Sequence, residues 1–368
     1  MAERLKILII DDSIIFRNAI ASALSGENDI EVTGTAHNGA RGIELIKLKP
    51  PDLVTCDVEM PVMDGLATLK AIQEYNAAHP DLPDIGVIMV SSVTTKGAEV
   101  TINALEYGAF DFVTKPDGKN SQENTAYLRR QLLVKIRLFA LRRSAAAQRK
   151  KAQASGLAAQ LPPPPPRATP ASVPAGQIKA VIIGVSTGGP RALSAIMPEL
   201  SNTVDLPIFI VQHMPPTFTQ SLAESLNNKC RHQVIEGRHN DIVDNGWAYI
   251  APGGRHMLVR KNTLGQVMTT INDQPPENGC RPSVDVLFRS AAAAYGGDVV
   301  AIILTGMGND GTKSLGPLKR AGAYVIAQDE ATSVVWGMPG SAVASGQVDD
   351  VLPLDKIPTA VGRLTGKR

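Results

Sequence analysis

A chain of 368 residues is long enough for two ordinary domains, each with its own core. A formal net charge of +2 removes any global electrostatic case for nucleic-acid binding, and no apolar run is long enough to span a membrane. The three cysteines, Cys56, Cys230 and Cys280, fit neither a zinc pattern nor a disulfide framework, which points to a reducing, cytoplasmic setting.

The start, MAERLKILIIDD, has a basic residue and a short apolar run cut off by two aspartates; it reads as a buried strand, not a signal peptide. Apolar strands then alternate with helical patterns. The predicted strands are Leu5–Ile10, Glu31–Ala36, Leu53–Cys56, Ile85–Val90 and Phe110–Val113. The predicted helices are Ser13–Leu24, Gly39–Leu48, Gly65–Tyr75, Gly97–Tyr107 and Ala126–Leu141. This alternation implies a parallel five-stranded sheet with helices on both faces, flavodoxin-like in kind. Arg129, Arg130, Lys135, Arg137, Arg142, Arg143, Arg149, Lys150 and Lys151 gather on the last helix and its tail, and read as a solvated face. Residues 144–177 are Ala-rich, then Pro-rich, and cannot bury enough apolar surface to offset their ordering entropy. They read as a linker between domains at 1–143 and 178–368. The second domain repeats the α/β grammar, with clear strands at Lys179–Val185, Pro207–Val211, Val299–Leu304 and Ala323–Ala327. A doubly wound, mostly parallel sheet follows. The stretch from His232 to Thr270 shows only short strands and turns.

Functional groups in such sheets collect at the carboxyl ends of strands. In the first domain those ends carry Asp11 and Asp12, Asp57, Ser91 and Lys115. Three carboxylates there repel one another unless a hard cation such as Mg²⁺ sits among them. A carboxylate can also be phosphorylated, with Lys115 and Ser91 contacting the phosphoryl oxygens. The motifs LIIDDS, CDVEMPVMDG, VSS and TKP resemble those of response-regulator receiver domains. The resemblance implies Asp57 as phospho-acceptor and Asp11, Asp12 and Asp57 as Mg²⁺ ligands, with the Glu59 main chain beside them. It implies Ser91 and Lys115 as switch groups.

In the second domain a strand runs into Gly184-Val-Ser-Thr-Gly-Gly-Pro190, the spacing of a nucleophile elbow. His213 and Asp310 follow two other strands, so Ser186, His213 and Asp310 can converge as nucleophile, base and orienting carboxylate. Main-chain N–H groups around Met307 are candidates for the oxyanion. Two alternatives stay open. GVSTGG can cap a helix or hold a phosphate. Gly306-x-Gly308-x-x-Gly311, with Asp329 after the next strand, has the form of a dinucleotide fingerprint, although Asp310 would repel a pyrophosphate.

IGVSTGGP, IVQHMP and LTGMGNDG, with IAPGGRHM and RPSVDVLF between them, resemble the catalytic domain of chemotaxis protein-glutamate methylesterases. The receiver–linker–esterase order matches that family along the whole chain. The resemblance implies a phosphorylation-regulated serine hydrolase that demethylates glutamate esters, and deamidates glutamines, on chemoreceptors. It implies Ser186, His213 and Asp310 as the triad, with Thr187 and Met307 near the site, and His256, Arg281 and Ser283 as candidate substrate contacts. A chemotaxis histidine kinase is the implied phosphodonor, and the esterase needs no cofactor. Phosphorylation of Asp57 is expected to uncover the Ser186 cleft. A non-catalytic output domain that binds a partner or a nucleotide is the alternative.

Overall fold

The computed structural model describes residues 4–118, 120–154 and 177–366, except the side chains of 149–154. The chain divides into two compact units, Met1–Leu161 and Pro162–Arg368.

In the first unit β1 (Leu5–Ile10), α1 (Ile14–Leu24), β2 (Ile30–Ala36), α2 (Gly39–Leu48) and β3 (Leu53–Asp57) lead into α3 (Gly65–Ala78), β4 (Gly86–Ser91), α4 (Thr95–Glu106), β5 (Asp111–Thr114) and α5 (Ser121–Ala154). All strand pairs are parallel, in the order β2-β1-β3-β4-β5. β3 is buried along its whole length, as a central strand covered on both faces must be. The loops end on residues that cap the next helix. Ser13, Asn38, Asp64 and Thr94 each accept a main-chain N–H of the helix they open.

Two expectations change here. Residues 144–154, read as the start of the linker, continue α5. They are rich in Ala, Gln, Arg and Lys, all strong helix formers, with no proline before Pro162. The rest of that linker, through residue 176, lies outside the described residues. The basic face of α5 is also not simply solvated. Arg129 and Arg137 both pair with Glu27, Lys135 with Asp111 at 2.8 Å and Arg143 with Asp52 at 2.6 Å. The cations anchor the helix to acidic strand and loop ends of its own unit.

The second unit contains β6 (Ala180–Val185), α6 (Gly189–Thr203), β7 (Ile208–Gln212), α7 (Phe218–Asn227), β8 (Gln233–Glu236) and β9 (Trp247–Ile250). β10 (His256–Lys261) and β11 (Val267–Asn272) then form an antiparallel hairpin. After it come α8 (Val284–Tyr295), β12 (Val299–Ile303), α9 (Thr312–Ala321), β13 (Tyr324–Gln328), α10 (Met338–Ala344), β14 (Asp350–Leu352) and α11 (Ile357–Thr365). The seven-stranded sheet has the order β14-β13-β12-β6-β7-β9-β8, all parallel. The stretch left unassigned at 232–270 thus extends one edge and adds the hairpin. The core packs Ile182, Phe209, Tyr249, Leu287, Phe288 and Leu315, with the Phe209 and Tyr249 rings stacked at 5.5 Å. Gly184 on central β6 pairs with Val211 on β7 and with Ile303 on β12. The carboxyl ends of these three neighbours therefore open at one level. Among the described residues no helix is long and apolar enough to cross a membrane.

Candidate phosphorylation and active sites

At the carboxyl end of the first sheet, Asp11 and Asp57 are buried and Asp12 is exposed. The Lys115 ammonium lies 2.9 Å from Asp11 Oδ2 and 2.8 Å from Asp57 Oδ2, and sits over the Phe16 ring at 4.5 Å. Burial pushes the Asp57 carboxyl up to about 6, and Asp11 adds to this while Lys115 opposes it. Asp11 is raised for the same first reason. Asp11 Oδ2, though close to Lys115, has no aligned hydrogen-bond donor. One oxygen from each of Asp11, Asp12 and Asp57 lies within 4.8 Å of the others. A buried acceptor without a donor, among hard oxygen ligands, fits a small divalent cation. Ser91 is buried, and its hydroxyl donates to Ser92 O and Gly97 O at 3.2 Å and accepts from Thr101 Oγ1 at 2.8 Å. In this state it faces the start of α4. The Lys115–Pro116 bond is trans.

In the second unit Val185 pairs with Gln212, so Ser186 and His213 leave β6 and β7 side by side. Gln212 ties them together, its buried amide donating to Ser186 O at 3.0 Å and His213 O at 3.3 Å. On the other flank the Ser186 N–H donates to Thr305 O at 3.0 Å. The elbow turns through Gly188, with φ +81, into α6, whose positive end favours negative charge nearby. The glycine at 306 is required by contact: a Cβ there would meet Ser186 Cβ at 2.8 Å and Met338 Sδ at 2.5 Å.

Asp310 is 2 % exposed yet fully occupied. Its Oδ2 accepts from His213 Nε2 at 2.8 Å and from the Val284 N–H at 2.7 Å. Oδ1 accepts from Asn278 Nδ2 and Ser283 Oγ, each at 2.8 Å, and from Gly311 N at 3.1 Å. Ser283, at the N-cap of α8, makes no cap bond of its own. Asp310 caps that helix from a distant loop, where the helix dipole favours its charge. Burial opposes ionisation, but the His213 bond and charge, the Val284 N–H and Asn278 together hold the carboxyl well below the usual range. The apparent dinucleotide loop is therefore filled by its own aspartate, bound to α8.

With Nε2 held by Asp310, the other ring nitrogen of His213, Nδ1, has Cys280 Sγ at 3.6 Å. Burial pulls His213 down, but the hydrogen bond with Asp310, then the hydrogen bond and charge of Cys280, push it up to about 9. Among the described residues Ser186 Oγ has no hydrogen-bond partner.

The sequence placed Ser186, His213 and Asp310 at neighbouring strand ends, and the fold brings His213 and Asp310 into contact. Thr187 follows Ser186 in the elbow and its carbonyl accepts from Thr305 Oγ1 at 2.9 Å; Met307 is 49 % exposed on the loop after β12. Two candidate substrate contacts are structural instead. His256 is sealed inside, its Nδ1 accepting from Ser283 N at 3.2 Å and its Nε2 lying 3.1 Å from Pro275 O, and Ser283 is spent on Asp310. Arg281 is exposed and binds the carbonyls of Asp273 and Gln274. Sequence reasoning missed Gln212, Asn278 and Cys280. Cys280 directly precedes the RPSVDVLF block, which was the available signal.

Residues 7–124 match the family described as response regulator receiver domain, and residues 181–361 the one described as CheB methylesterase. The chain is 43 % identical over 359 residues, 96 % of its length and 97 % of the other, to a protein-glutamate methylesterase/protein-glutamine glutaminase of Desulfotalea psychrophila. To the protein of the same name from Trichodesmium erythraeum it is 41 % identical, over 99 % of both chains. Among solved structures, the CheB methylesterase catalytic domain of Thermotoga maritima is 43 % identical, covering 51 % of this chain and 98 % of that one at a TM-score of 0.49.

Proposed function

This chain belongs to the CheB methylesterase family and carries a receiver domain, and on that premise we propose that it is a cytoplasmic, phosphorylation-regulated serine hydrolase of chemotaxis receptors. Its substrates are the γ-methyl esters of receptor glutamates, with glutamine side chains as a second substrate. The observation that carries the mechanism is the buried Asp310 carboxylate fixing His213 through Nε2 at 2.8 Å, with His213 and Ser186 each one residue beyond the paired strands β7 and β6.

Asp310 orients the imidazole and stabilises its charged form. Ser186 Oγ turns to His213 Nδ1, loses its proton there and attacks the ester carbonyl. The oxyanion forms beside the start of α6, with main-chain N–H groups of Thr187 and Met307 as its donors. His213 returns the proton to the departing methanol, leaving an acyl-enzyme. Water attacks next, giving its proton to Nδ1, and glutamate leaves. With glutamine only the leaving group changes, to ammonia.

In the receiver Asp57 is the phospho-acceptor, taking the phosphoryl group from a chemotaxis histidine kinase. Asp11, Asp12 and Asp57 would hold Mg²⁺, whose charge offsets that of carboxylates and phosphoryl oxygens. Lys115 moves its ion pair to the phosphoryl oxygens. Ser91 leaves Gly97 O to donate to them, releasing the first turn of α4. That change uncovers the esterase cleft by population shift.

The test is methanol release from methyl-esterified receptor membranes by wild type and Ser186→Ala, each with and without a small phosphodonor and Mg²⁺. Release should vanish in the variant and rise with phosphodonor in the wild type. Release that persisted in Ser186→Ala and vanished in Cys280→Ala would move the nucleophile to Cys280.

A further inference from the structure

Cys280 differs from the other two thiols in its surroundings. Cys56 is fully buried, and burial with the Asp57 charge pushes its thiol far up. Cys230 is pushed up to about 11 by burial. Both are held as inert thiols. Cys280 is only half-buried, and its Sγ lies 3.6 Å from His213 Nδ1. The far side of that ring is braced at 2.8 Å by Asp310. The imidazole thus touches the thiol on one side and the carboxylate on the other. The ring stands within reach as a proton acceptor for the thiol when the sulfur reacts, with Asp310 bracing its far side. Access is open as well: Asn278 and Gly279, just before the cysteine, are exposed and turn through φ +51 and +75.

We propose that Cys280 is a peroxide-reactive modification site, and that its oxidation to sulfenic acid reversibly silences ester hydrolysis. The second half rests on the hydrolase reading above; the first does not. The Cys280 sulfur attacks one oxygen of hydrogen peroxide as its proton passes to His213 Nδ1. An S–O bond forms as the O–O bond breaks, sulfur gives up two electrons, and the departing hydroxide takes the imidazolium proton and leaves as water. The new S–OH lies against Nδ1, the nitrogen that must receive the Ser186 proton, and the added oxygen fills the approach to it. A small dithiol reverses the change through a mixed disulfide, releasing water and restoring the thiol while the reductant is oxidised.

The experiment uses the full chain, reduced, pulsed with hydrogen peroxide and quenched with catalase. Three readouts follow: methanol release before and after the pulse, recovery with dithiothreitol, and the peptide that carries a dimedone adduct. Wild type should lose about tenfold or more of its rate and regain it with dithiothreitol. Cys280→Ala should keep its treated-to-untreated ratio near one, whatever its basal rate. The adduct should map to Cys280 in wild type and in Ser186→Ala alike, so failure of the hydrolase reading leaves the site testable. No adduct on Cys280 would overturn the site. An equal proportional loss in Cys280→Ala would assign the sensitivity elsewhere, the exposed Met307 first, and a loss that dithiothreitol cannot reverse would overturn the reversible switch.

Discussion

Nε2 of His213 lies 2.8 Å from Oδ2 of Asp310, and the same oxygen accepts the Val284 N–H at 2.7 Å. The carboxylate that orients the imidazole is therefore also the N-terminal cap of α8. The orientation of His213 and the start of α8 thus depend on one side chain. In Asp310→Asn the amide keeps a similar shape but presents one acceptor oxygen to several donors. Its rate should fall about 10³–10⁴-fold, with KM little changed. The melting temperature should fall too, reflecting about 1–3 kcal/mol for donors left unpaired. Steady-state kinetics and a thermal melt on one preparation check both; full activity with a lowered melting point would confine Asp310 to capping.

The pH dependence follows from His213. Its ordinary value of 6.5 is raised to about 9, so near neutral pH the ring is mostly imidazolium and unable to accept a proton. Activity requires the neutral form, so kcat/KM should climb about tenfold per pH unit and level off above pH 9. Cys280 supplies part of the upward push, so Cys280→Ala should move the limb to lower pH. A profile flat from neutrality upward would contradict the assignment of His213 as base.

Gly306 lies against Ser186, the proposed nucleophile. In Gly306→Ala the added methyl group would stand 2.8 Å from Ser186 Cβ, and the serine must shift. Hydrolysis should drop by on the order of a hundredfold through misplacement alone. Stability should fall by about 1–3 kcal/mol. Parallel measurement of rate and melting temperature separates these effects.

In the receiver, Lys115 is the cation facing both buried carboxylates. Lys115→Ala strips Asp11 and Asp57 of that charge and should destabilise the first unit by about 3–5 kcal/mol. Mg²⁺ should restore part of the loss, read as a salt-matched shift in the melting of this unit. A melting point indifferent to both the substitution and Mg²⁺ would argue against the carboxylate cluster as a cation site.

Asp57→Asn should abolish stimulation by a phosphodonor and leave basal methanol release unchanged, and chelation of Mg²⁺ should do the same to wild type. Removing the receiver should raise basal release if it covers the cleft. Because α5 continues through Ala154, the cut belongs after that residue and not at 143. Basal activity that stayed level or fell would sink the covering mechanism and leave the hydrolase chemistry standing.

Much of this molecule is legible in its residues because the relevant rules are local. Short apolar runs between helical patterns placed the strands, which are buried along their length in β3, β6, β7, β12 and β13, and a strand end is a position in sequence as much as in space. Asp11, Asp57, Lys115, Ser186 and His213 could thus be read as site candidates from where each strand stops. Other features depend on contacts across long separations. His213 meets Asp310 across 97 residues and Cys280 across 67. The β12–β6–β7 order and the path of the 273–283 loop set both meetings, and neither leaves a periodic trace. Burial alone made His256 a scaffold and Ser283 a partner of Asp310. Ion pairs with Glu27, Asp52 and Asp111 turned a basic face into an anchor. A side chain's chemistry is written in its residue type, but its partner is chosen by packing, and packing is a property of the whole fold.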